Sequence, residues 1–125
     1  IGWSGDVLQL AAENPDVRFV FPEEGGTLWW DTMVMPKGAK NVDAAAKWFD
    51  FIYDPVQAAQ LTLYVNYFSP VKGVRDEVAK IDPELADNPL VFPDDETKKR
   101  LHPFAALDLD TEAQFEEAFS KITGA

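Results

Sequence analysis

The 125-residue chain is the length of one domain and can bury roughly two thirds of its unfolded surface, and with 46% hydrophobic and 13% aromatic residues it is a globular, not a disordered, composition. Its 22 acidic and 11 basic residues leave a net charge of -11, which sets nucleic acid and anionic membrane surfaces aside as partners and favours cations. Cysteine is absent, so thiol nucleophiles, thiolate metal sites and disulfides are excluded, and no apolar run approaches the roughly 20 residues of a membrane span.

The chain opens on Ile1, not Met, and enters "IGWSGDVLQLAAENP" at once, which leads us to expect a piece of a longer polypeptide. Ser4 is placed to cap a first helix from Gly5 to Glu13 with Val7, Leu10 and Ala11 on one face, and "ENPD" ends it. "VRFVF", Val17 to Phe21, is β-branched and aromatic and reads as a buried strand stopped by Pro22. Gly25 and Gly26 permit a close backbone approach or a positive φ, and "TLWWDTMVM", Thr27 to Met35, reads as a second strand ended by Pro36 and Gly38.

Helices dominate the remainder of the chain. Asn41 caps a helix through Tyr53 with Val42, Ala45, Phe49 and Ile52 as its apolar stripe, and Asp54 with Pro55 starts another through Val65. "NYFSPV" is extended because Pro70 biases Ser69 away from the helical region. "KGVRDEVAKID" predicts a short helix, and Asp82 with Pro83 a brief turn. Asp94, Asp95 and Glu96 open a helix that closes on Lys98, Lys99 and Arg100, the order the helix dipole prefers. Thr111 and Gln114 fit a capping box ahead of Phe115, Phe119 and Ile122, with Gly124 as terminator. So few strands cannot form a satisfactory sheet by themselves, and partner strands are expected to be missing.

In a strand from Thr27, side chains alternate, so Trp29 and Asp31 share one face and Trp30 takes the other, where it is expected to pack. A carboxylate beside an indole is a receptor for an alkylammonium group: it neutralises and hydrogen-bonds the charge, while the ring contributes about 0.5 to 2 kcal/mol of cation-π attraction and covers methylenes. The competing reading buries both tryptophans in a core and uses Asp31 to cap a turn. Trp3, Tyr67 and Phe68 join such a site only if the fold gathers them. Catalysis by Glu23 and Asp31 as acid and base is a weaker reading, because the chain supplies no nucleophile beside a base, no phosphate loop and no metal cluster. His102, the only histidine, reads as a surface or loop residue.

The order "GWSG", "PEEGGTLWWD", "PKGAKN", "FIYDPVQAAQ", "NYFSPV" and "FPDDET" closely resembles the C-terminal part of bacterial periplasmic spermidine- and putrescine-binding proteins, the receptors of polyamine ABC importers. The resemblance implies an α/β fold class: the C-terminal part of a two-lobed type II periplasmic binding protein, here a helix-rich fragment with few strands. It implies that residues 1–28 end the second lobe and supply a hinge strand, and that residues 29–125 complete the first lobe. It further implies a non-enzymatic periplasmic receptor with no cofactor, handing a polyamine to an ABC permease without inserting in the membrane. Trp3, Trp29, Asp31 and Tyr67 match the family's ligand-binding positions: Trp3 packs on the polyamine chain, Trp29 is the hinge-side aromatic, Asp31 pairs with an ammonium and Tyr67 lines the first-lobe side of the cleft. The sequence departs after "DDET", where "LHPFAAL" lacks the polar amide the family often has, which leaves the preferred polyamine open. A receptor for a quaternary amine or guanidino compound is the alternative. Unpaired strand edges lead us to expect self-association of the isolated chain.

Overall fold

The computed structural model describes residues 2–124. The first helix, α1 (Ser4–Glu13), has Trp3 as its extended N-cap residue at φ -88 and ψ 143, with no side-chain cap. Ser4 is therefore the first helical residue and not the cap, because it is the Trp3 carbonyl that already accepts the Val7 N–H at 3.1 Å.

Helix α2 (Val42–Ile52) follows Asn41, which occupies the N-cap position but makes no side-chain cap hydrogen bond, and it ends one residue short of Tyr53; three of the four stripe residues, Ala45, Phe49 and Ile52, turn inward while Val42 stays exposed. Helix α3 (Pro55–Val65) is held at its start by Asp54, whose Oδ1 accepts from the Val56 and Gln57 N–H groups at 3.0 and 3.3 Å. Pro55 at the first turn has no N–H to satisfy, so proline and cap act together. Helix α4 (Val74–Ala79) folds back on α3, and α5 (Pro83–Ala86) packs on α4. The buried cluster lies here: Ala58 and Ala59 of α3, Val74 and Val78 of α4 and Ala86 of α5, flanked by Leu63, Val71, Leu85 and Phe92. Alanines facing valines let these short helices approach closely enough to exclude water. Arg75 ties the end of α5 to α4 by donating from Nε to the Ala86 carbonyl at 2.9 Å and from Nη2 to Asp87 at 2.7 Å.

The strands differ most from expectation. Strand β1 (Gly26–Leu28) pairs in parallel with β2 (Leu101–Pro103) in the register Gly26 to Leu101, Thr27 to His102 and Leu28 to Pro103. The ladder stops where β2 stops, so the expected strand through Met35 ends at Leu28 and Trp29 lies beyond it. Residues 17–21 keep a strand's alternation, with Val17, Phe19 and Phe21 half-buried and Arg18 and Val20 exposed, but no strand pairs with them among the described residues. Strand β2 was not anticipated, because a proline without an N–H argues against a ladder position; Pro103 fits as the last residue of an edge.

Between the strands in sequence lies α6 (Asp95–Lys99), capped by Asp94, whose Oδ1 accepts from the Thr97 N–H at 2.7 Å. Helix α7 (Leu109–Thr123) begins earlier than the capping box suggested: Asp108 is the cap, accepting from the Thr111 N–H at 2.9 Å and the Thr111 hydroxyl at 2.8 Å. Thr111 is thus a donor to the cap and not the cap itself, since an ionised carboxylate is the stronger acceptor. Those N–H donors hold the carboxyls of Asp94 and Asp108 below the usual carboxylate range. Gly124 ends α7 in the left-handed region at φ 74, as its position implied. Phe115, Phe119 and Ile122 are all more than half exposed, so the apolar stripe of α7 has no cover among the described residues. The arrangement is a helix-rich α/β one with a single parallel strand pair among the described residues.

Because the cluster around Ala58 and Ala59 depends on where α3 starts, Asp54→Ala is expected to cost about 1 kcal/mol of stability. A urea midpoint lowered without a change in slope checks this; an unchanged midpoint removes the cap from the account of α3.

Candidate functional site

Two backbone features bring distant aromatics together. Asn66 takes the left-handed conformation at φ 57, which ends α3 and turns the chain so that Tyr67 faces α1. On α1 the meeting point is Gly5, where an added Cβ would lie 2.6 Å from Tyr67 Cδ2 and 2.8 Å from Cζ. Only a bare backbone admits the phenol ring this closely. Two hydrogen bonds fix the docking: Gln9 Nε2 donates to the Val65 carbonyl at 3.2 Å, and the Tyr67 hydroxyl donates to Asp6 Oδ1 at 2.9 Å.

Trp29, the first residue after β1, reaches the same place. Its ring meets Trp3 edge to face at 5.2 Å between centroids and 66° between planes, and Tyr67 at 6.2 Å and 64°. Each such pair contributes about 0.5 to 1.5 kcal/mol beyond area burial. Three of the four expected site residues, Trp3, Trp29 and Tyr67, are therefore one cluster with Trp29 in the middle.

Asp31 is different. It lies exposed outside the ladder, in a stretch with no helix or strand, and among the described residues no hydrogen bond or ion pair engages it. The shared strand face with Trp29 required a ladder continuing past Leu28, and β2 does not extend that far. Trp30 was expected to pack; it is 61% exposed against 38% for Trp29, for the same lack of a neighbouring strand. Phe68 is exposed and outside the ring contacts.

The carboxylate that the structure does place at the cluster is Asp6, which the reading of α1 as an apolar face passed over. The signal was present: Trp3 and Asp6 are three residues apart at the start of a helix, a spacing that puts two side chains on one face. A carboxylate offers about four acceptor sites, and Tyr67 takes only one, so Asp6 can still receive a cation's N–H donors. Partial burial of the ring raises the Tyr67 hydroxyl above the ordinary phenol range, and the bond to the Asp6 carboxylate adds to the effect. The chemistry available is aromatic cover for an alkyl chain, a π face for a positive charge and a carboxylate at the edge. No group of three or more side chains able to hold a metal occurs among the described residues.

Since folding raises the Tyr67 pKa, the neutral phenol stabilises the docked state below the unfolded value, and that contribution disappears as pH rises through the folded one. With Tyr53 and Tyr64 replaced by phenylalanine, the remaining tyrosinate absorbance is expected to titrate above the ordinary range, and Asp6→Asn to move the midpoint down. An Asp6→Asn midpoint equal to the parent's rules out the hydrogen bond.

A model of the bacterial extracellular solute-binding protein family matches residues 1–100. The spermidine/putrescine-binding periplasmic protein 1 of Haemophilus influenzae is 31% identical over 100 residues, which are 80% of this chain and 27% of that protein. The spermidine/putrescine-binding periplasmic protein of Escherichia coli is 31% identical over 97 residues, 78% of this chain and 27% of its own length. The putrescine-binding periplasmic protein PotF of Escherichia coli is 27% identical over 128 residues, covering 98% of this chain and 34% of that protein. The chain thus spans roughly a third or less of the relatives it matches. No solved structure matches it. With the family model covering the aromatic cluster and the core, the chain belongs to the bacterial extracellular solute-binding protein family.

Proposed function

We propose that this chain is the C-terminal part of a two-lobed periplasmic receptor that captures a linear polyamine, putrescine or spermidine, and delivers it to an ABC permease by cleft closure, without bond chemistry. In this reading residues 1–28 end the second lobe and residues 29–125 complete the first, so α1 and the segment at Tyr67 lie on opposite sides of the cleft. The observation that carries it is the cluster of Trp3, Trp29 and Tyr67 with the Asp6 carboxylate at its edge. Indole and phenol faces cover methylenes, and an acidic group satisfies an ammonium that aromatic rings alone would leave short of hydrogen-bond acceptors. The names of the relatives support the same ligand class.

Asp31 takes the second acidic role in this reading, being two residues from the central ring of the cluster and free to turn toward a ligand. A diamine presents two ammonium groups, and one carboxylate cannot neutralise both. A quaternary amine would need the rings and not the acceptors, so the carboxylates discriminate between the two ligand classes.

In the complete receptor, Asp31→Asn and Asp6→Asn are each expected to weaken putrescine binding by about 1.5 to 3 kcal/mol, the worth of a charge-assisted hydrogen bond, with the fold intact. Titration calorimetry checks this, with choline as the comparison. Unchanged putrescine affinity in both variants, or tighter binding of choline than of putrescine in the parent, sinks the polyamine assignment.

In this reading the isolated chain carries Trp3 from one lobe and Asp31 with Tyr67 from the other, but lacks the remainder of both lobes. Its polyamine affinity is expected to be no better than about millimolar, near -4 kcal/mol, because ordering a flexible ligand is offset by few contacts. Its uncovered α7 stripe and unpaired strand edges are expected to drive self-association. Light scattering and a spermidine titration on one sample test both. A stable monomer with micromolar affinity would show that the chain is a complete binding module.

A further inference from the structure

Residues 29 and 30 are both tryptophan, so the contacts to Trp3 and Tyr67 cannot by themselves distinguish one register of β1 from the next. A slip of one residue along β2 would carry Trp30 into the place of Trp29 and Asp31 into the place of Trp30. A parallel pair of three-residue strands has too few ladder bonds to resist this. Something upstream must choose.

Glycine geometry blocks one direction. Gly25 sits at φ 109, and a Cβ there would overlap the Arg100 carbonyl oxygen, so Glu24 cannot move into its place. The opposite slip brings Gly26 into the place of Gly25, and a second glycine passes that test. This is the slip that exchanges the tryptophans. It also brings Thr27 into the place of Gly26, where a Cβ lies 2.7 Å from Phe21 Cε2, so it is barred for as long as the Phe21 ring stays where it is.

Phe21 is held by Arg100. The guanidinium lies over the ring at 4.7 Å from its centroid, Nη2 donates to the Pro22 carbonyl, and the Arg100 carbonyl accepts the Gly26 N–H at 3.0 Å. One residue thus grips the incoming segment by ring face, by carbonyl and by the last N–H before Thr27. The planar fork and weak hydration of a guanidinium suit it to do the first two at once, which an ammonium would not.

We propose that Arg100 is a positioning residue that sets the register of β1 against β2, so that Trp29 and not Trp30 completes the cation-binding cluster. It acts through Phe21 and touches no part of the cluster. Its consequence for ligand binding rests on the receptor function proposed above; the register itself does not.

Two indoles in edge contact give an exciton couplet in circular dichroism, which reports the partner of Trp3 with no ligand present. In the parent chain Trp29→Phe is expected to abolish the couplet and Trp30→Phe to leave it. In Arg100→Gln, at least half of the couplet is expected to survive Trp29→Phe, and Trp30→Phe to reduce it. Phe21→Ala, which keeps Arg100 but removes the obstructing ring, is expected to behave as Arg100→Gln does, and it decides the matter if Arg100→Gln does not fold. A couplet that still depends on Trp29 alone in these variants overturns the proposal. In the complete receptor Arg100→Gln is expected to weaken polyamine binding roughly tenfold. A parent receptor that binds no polyamine would refute the receptor reading and leave the register result standing.

Discussion

The contact on which the site depends is the docking of the Tyr67 ring against Gly5. Each feature of the cluster rests on it: the phenol hydroxyl reaches Asp6, Val65 comes within reach of Gln9, and Trp29 finds a ring on either side. The contact joins residues more than sixty positions apart and exists because one position on α1 carries no side chain. A methyl group at Gly5 would push the phenol outward and separate the hydroxyl from its carboxylate. Side-chain chemistry at this site is therefore subordinate to a backbone fit.

A second such fit holds the other end. The double glycine before β1 lets that segment lie against Arg100 and the strand after it, where any larger residue would collide with a carbonyl or with Phe21. Tyr67 lies just beyond the end of α3, a helix of the core, while Trp29 follows β1, which its ladder with β2 holds, and α1 is tied in through its contacts at the site.

The exposed apolar residues have a common cause. Val20, Trp30, Phe115, Phe119 and Ile122 lie on segments that lack a neighbour to pack against. Strand-like alternation over residues 17–21 without a ladder is the clearest case, since the periodicity belongs to the sequence and the pairing does not. A chain spanning a third or less of its relatives' length is one in which such unmatched faces are expected.

Helices were legible in the sequence because their signals are local: Asp54 with Pro55, Asp82 with Pro83 and Gly124 each act on backbone groups within a turn. Cap positions slipped at Ser4, where the helix starts one residue earlier with no side-chain cap, and at Thr111, where Asp108 is the stronger acceptor, and strand extents failed because a ladder needs a partner that periodicity cannot supply. By itself the sequence determined the helical segments, the acidic and cysteine-free chemistry and the aromatic residues from which a cation site could be built. The tertiary structure alone decided that Trp3, Trp29 and Tyr67 meet, that Asp6 is the carboxylate at their edge, and that Trp30 and Asp31 stand outside the ladder. The physical reason is that these choices are made by contacts between residues far apart in the chain, at glycines whose fit to a distant partner leaves no local signature.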